Sequence, residues 1–298
     1  MARSAGTYRG IVDGQVAGRG YLDHLTDEDL RLLAAAAGMD VRRAGELRRQ
    51  PAAVVELAGR PELFERVYRP DRAGLVGISP FVAFLVAVHQ AEREIAATGF
   101  VAERSAPRQR VPVFDAPRLR EFLTDPMRRL FLAELLTSFV RVASGRYWTH
   151  TARGWRAQRY SELDPVRLAQ VAEQTPPGQR AGVYRRLGDV ALFLTGMFPD
   201  YVQLHAFGPF DAARLIRAAG LGRDEQTQNV TAPPIQLLEY LGQRWYRQAC
   251  AHASAATAQL TVVSEVADRF RDARRVLNHI ADRHFARLGN PWFTPPGS

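Results

Sequence analysis

Residues 258–288 read AQLTVVSEVADRFRDARRVLNHIADRHFARL. Within them Val263, Val266, Phe270, Ala273, Leu277, Ile280 and His284 recur at three- and four-residue spacing. An α-helix turns once in about 3.6 residues, so this spacing lines a single face. The stretch predicts one long helix whose apolar seam packs inside a helical bundle or against a partner helix. Just upstream, Pro233-Pro234 opens another helix of about 20 residues, because proline is preorganised for the first helical turn.

The same punctuation runs toward the N-terminus. Thr26 and Asp29 form a capping pair ahead of Leu30, Leu32 and Leu33, and Gly38 stops that helix. Short helices are expected at 41–49, 51–58 and 61–67, the last two opened by Pro51 and Pro61. Asp125-Pro126 starts a helix reaching about residue 143, with a stripe through Leu130, Phe131, Leu135, Phe139 and Val142. Asp164-Pro165 starts another, and a helix over 179–197 carries Tyr184, Leu187, Val190 and Leu194. Gly74–Ala91 has no formal charge, but Pro80 interrupts it and its compact apolar run, Phe81–Val88, is short. A membrane span needs about 20 apolar residues, so the reading is a buried core helix capped by Ser79. The N-terminus lacks the apolar region of a secretory signal, and a cytoplasmic location is expected.

Two stretches break the helical period. Residues 100–117, FVAERSAPRQRVPVFDAP, carry three prolines and read as a linker or extended connection. They mark a boundary between an N-terminal helical subdomain, 1–110, and a C-terminal bundle, 111–298. Farther on, Tyr147–Thr151 and Trp155–Tyr160 are β-rich runs around Ala152-Arg153-Gly154, which predicts a hairpin. The expected fold is all-α, a multi-helix bundle with one small β-hairpin insertion near 147–160.

Composition narrows the chemistry. At 298 residues and 46% hydrophobic, the chain has ample apolar surface for a core. Its one cysteine, Cys250, excludes an internal disulfide framework and any multi-cysteine metal centre. All 40 basic residues are arginine, which removes Schiff-base, P-loop and Ser–Lys chemistry. The net charge of +9 is unevenly placed: residues 101–160 carry 12 Arg against 5 acidic residues, whereas residues 1–100 balance 13 against 13.

Seven histidines form no HExxH and no Glu-x-x-His pair. His279 and His284 lie about 140° apart on an α-helix, which disfavours a shared ligand. Asp268 and Asp272 have the spacing of a diphosphate–magnesium pair, but Arg269, Arg271, Arg274 and Arg275 interleave them as a helix face of ion pairs. Asp189, in an apolar helix, needs a partner such as Arg185, Arg186, Tyr246 or His252. No metal and no cofactor are expected.

The strongest constellation lies on the hairpin. Arg146, Tyr147, Trp148, Arg153, Trp155, Arg156 and Arg159 combine guanidinium forks for phosphates with rings on which bases stack. In this reading Arg153, Arg156 and Arg159 contact phosphates while Trp148 and Trp155 stack. The expectation is a non-enzymatic regulatory or interaction protein docking on an acidic partner, nucleic acid first or else an acidic protein surface. Two alternatives stand beside it. One is a helical adaptor or dimerising scaffold using the 233–288 helices, and the other a helical enzyme with a polar pocket around Asp189, His205 and Cys250.

Overall fold

The computed structural model describes residues 20–68, 77–106, 109–141, 144–151, 154–161, 163–204, 207–221, 232–285 and 292–293. The fold is all-α, a multi-helix bundle carrying two separate two-stranded antiparallel hairpins. In chain order its α-helices are α1 (Asp27–Ala37), α2 (Pro51–Ala58), α3 (Pro61–Val67), α4 (Pro80–Ala96), α5 (Ala116–Thr124) and α6 (Pro126–Ser138). There follow α7 (Pro165–Gln174), α8 (Arg180–Met197), α9 (Pro199–Leu204), α10 (Pro209–Ala218), α11 (Pro234–His252), α12 (Ala258–Asp268) and α13 (Phe270–Ile280). Val41–Arg49 is a 3-10 helix, and Ala281–Phe285 forms a π-helical turn.

Local chemistry sets these boundaries. The Thr26 hydroxyl accepts from the Asp29 amide while the Asp29 carboxylate accepts from the Thr26 amide, closing a capping box. Ser79, Asp125 and Asp164 cap α4, α6 and α7, each followed by proline at the first helical position. Helix α4 is the expected core helix. Every residue from Phe81 to Val88 is fully buried, and α4 packs against α2, α3, α5, α6 and α13. No helix among the described residues is long and apolar enough to cross a membrane.

The second packing axis is α8 against α11, the most extensive helix pair. Glycine permits the close approach. A methyl at Gly188 would sit 2.4 Å from the Tyr246 ring, and one at Gly242 would sit 3.1 Å from Ala191 of α8 and 2.4 Å from Phe270. Helix α13 crosses α8 at Gly196, where Leu277 fills the place of a side chain. The buried apolar residues join in one cluster from Tyr21 to Phe293.

The 258–288 stretch departs from its straight reading. Its seam is buried as expected: Val263, Val266, Phe270, Ala273, Leu277 and Ile280 are at 0% exposure. The seam therefore packs inside the chain. The helix nevertheless breaks at Arg269 (φ −117°, ψ 31°). The Arg269 guanidinium reaches the Arg118 carbonyl at 2.7 Å and the Asp272 carboxylate at 2.9 Å.

Residues 100–117 are also more than a linker. Val101–Ala106 (β1) and Gln109–Val113 (β2) pair in the register Val101↔Val113, Glu103↔Val111 and Arg104↔Arg110. Glu103 fastens β1 to α13 through Arg274 and Arg275, and the Arg275 guanidinium donates to the Val101 carbonyl at 3.1 Å. The second hairpin joins Ser144–Thr151 (β3) to Gly154–Ser161 (β4), so α6 ends earlier than its apolar stripe suggests.

Candidate functional site

The β3–β4 ladder pairs Arg146 with Arg159, Tyr147 with Gln158, Trp148 with Ala157, Thr149 with Arg156 and His150 with Trp155. Strand residues alternate between two faces. The register therefore places Arg146, Trp148, His150, Trp155 and Arg159 on one face, and Tyr147, Arg156 and Tyr160 on the other. Arg156 and Arg159, read from sequence as partners, fall on opposite faces. Arg153 lies outside the described residues. Residues 144–161 contain no Asp or Glu. Among the described elements, each strand of this hairpin has its extensive contact with the other strand alone.

Elsewhere in the basic stretch four arginines have acidic partners. Arg110 binds Asp282 at 3.0 Å, Arg118 binds Asp272 at 2.9 Å, Arg128 binds Glu265 at 3.1 Å and Arg129 binds Glu92. Three of those acids come from the C-terminal third of the chain. Part of the charge surplus read along 101–141 is thus answered in three dimensions.

Asp189 has the partners expected of a buried carboxylate. The Tyr246 hydroxyl donates to its Oδ1 at 2.8 Å and the Arg185 Nε donates to the same oxygen at 2.9 Å. Arg185 continues to Glu134 at 3.4 Å and stacks over the Phe131 ring at 4.9 Å. Burial, reinforced by the Asp189 charge, pushes the Tyr246 phenol well above its ordinary range. Asp189 is an interhelical tie. Cys250 is not among its hydrogen-bond partners: the thiol donates to the Leu260 carbonyl at 3.6 Å, and burial pushes its pKa up. His205 lies outside the described residues.

Helix α13 holds what the sequence hid. Asp268 and Asp272 lie on different helices, paired to Arg247 and to Arg118 with Arg269. The arginines read as a helix face of ion pairs are partly interior, with Arg274 4% and Arg275 1% exposed. Arg274 bridges Glu103 and Glu239, while Arg275 meets Glu103 and Asp115. Their acids come from distant segments, so no local spacing announced them.

The π-helical turn changes the geometry of the histidines. It carries His284 back over the face of His279, and the two Nε2 atoms lie 3.6 and 2.7 Å from one oxygen of Glu94. No group of three metal-ligating residues among the described ones is arranged to hold a metal ion. The cluster acts on the carboxylate. Burial works to raise the Glu94 pKa, but hydrogen bonds from His279 and Gln90 and the nearby imidazoles hold it down at about 2. A depressed carboxylate contributes stability that is fully present above its ordinary value of 4.5 and is lost as pH falls toward about 2. Urea unfolding of Glu94→Gln should therefore show a shallower loss of stability over that interval than the native chain. Parallel losses would remove Glu94 as a source of acid sensitivity.

Compared with known protein families, with curated proteins and with solved structures, the chain matches none.

Proposed function

We propose that this chain is a non-enzymatic regulatory or interaction protein that binds nucleic acid through the β3–β4 hairpin, with the helical bundle as its platform. The carrying observation is the register. It collects Arg146, Trp148, His150, Trp155 and Arg159 on one face of a ladder whose two strands contain no acid. Guanidinium groups beside indoles serve phosphates and bases together. The absence of Asp and Glu from residues 144–161, within a stretch that carries five acidic residues elsewhere, supports the same reading. A cytoplasmic setting belongs to this proposal.

Fluorescence anisotropy of labelled single- and double-stranded DNA and RNA, at low and physiological salt, tests it. The expected result is binding that persists at physiological salt, weakens steeply as salt rises and quenches tryptophan emission. Absence of binding at both salts overturns the proposal.

A further inference from the structure

Both hairpins place two arginines directly opposite each other. In β1–β2 the pair is Arg104↔Arg110, and in β3–β4 it is Arg146↔Arg159. Directly opposed residues of an antiparallel pair have Cβ atoms about 4.5–5.5 Å apart, and like charges there destabilise the ladder. The first pair is answered from within the chain, since Arg110 binds Asp282 on the π-helical turn at 3.0 Å. The strands of the second pair contain no Asp or Glu.

We propose that the opposed positions Arg146 and Arg159 form an oxyanion site that takes one phosphodiester of a single-stranded nucleic acid. One phosphate presents two unesterified oxygens, and two arginines at directly opposed positions suit it better than a lone cation does. The single-stranded form follows from the adjoining register. Trp148 is two residues from Arg146 on the same strand, and Trp155 is opposite His150, diagonal to Trp148 on the same face. Rings beside a phosphate site offer stacking only to bases whose faces are free, as they are in a single strand and are not in a duplex. This inference rests on the nucleic-acid reading above and sharpens it to one site and one strand form.

The test is a double-mutant cycle on the full chain with a labelled single-stranded oligonucleotide. Arg146→Gln and Arg159→Gln should each weaken binding about tenfold, as expected for loss of a charge-assisted contact. Because both grip one phosphate, the double variant should lose clearly less than the product of the two. Arg156→Gln, on the opposite face, should weaken binding less than either. The single variants should also keep or raise the free protein's Tm, because each relieves a like-charge pair. Inorganic phosphate should compete with the oligonucleotide for the native chain and not for the double variant.

Single-strand binding with strictly multiplicative losses at 146 and 159 overturns the shared site while the nucleic-acid reading stands. Equal affinity for a duplex of the same sequence overturns the strand preference in the same way. Binding to anionic phospholipid vesicles with no binding to any oligonucleotide overturns both readings.

Discussion

Asp189→Ala should lower the unfolding free energy by about 3 kcal/mol, read from urea denaturation near neutral pH. Breaking a buried ion pair by removing one partner costs about 3–5 kcal/mol, chiefly because the other charge stays desolvated. The lower end applies here because Arg185 keeps Glu134 at 3.4 Å. The substitution also deprives the buried Tyr246 hydroxyl of its acceptor. Asp189→Asn should lose less, since an amide oxygen still accepts from Tyr246. A loss under about 1 kcal/mol for the alanine variant, the worth of an exposed pair, would show that the tie does not hold α8 to α11.

Gly188→Ala should also destabilise the fold, although alanine is the better helix former by about 1 kcal/mol. The added methyl would lie 2.4, 2.5 and 2.9 Å from three carbons of the Tyr246 ring. That ring cannot retreat, because it is fully buried and its hydroxyl is fixed on Asp189. Overpacking of this sort costs about 1–3 kcal/mol or more, enough to outweigh the propensity gain. Thermal unfolding would register it as a clear fall in Tm, whereas a rise would mean that α8 and α11 are less closely apposed than the structure has them. Gly182→Ala is the control. The same helix carries it with nothing within 4 Å of the added carbon, so its Tm should hold or rise.

Local signals carried most of the fold. Prolines at 51, 61, 80, 126, 165 and 234 mark first helical positions in the structure as they do in the sequence. The apolar stripe of 258–288 identifies its buried face residue by residue. The β3–β4 hairpin was legible because aromatic and β-branched residues flank Ala152-Arg153-Gly154, although the structure places Gly154 at the start of β4.

What stayed hidden depends on partners far along the chain. The β1–β2 hairpin lacks an Asn-Gly or Asp-Gly turn and carries Pro112 within a strand, a residue that only an edge position tolerates. It is anchored instead by Glu103 reaching Arg274 and Arg275, some 170 residues away. The break at Arg269 answers to Arg118, and the His279–Glu94–His284 cluster needs a π-helical turn that no α-helical wheel contains. In the candidate site, residue types and hairpin were readable from sequence. The division into faces was not, because it follows from the pairing register, and register separates Arg156 from Arg159.

In the proposed function the hairpin binds and the bundle supports it. The most direct measurement replaces residues 144–161 with a short Gly-Ser connector and repeats the oligonucleotide titration beside a thermal melt. Among the described elements the strands β3 and β4 have their extensive contact with each other alone, so the melt should stay cooperative with its Tm nearly unchanged while binding disappears. Undiminished binding with the same salt dependence would place the interface on the helical bundle and contradict the account.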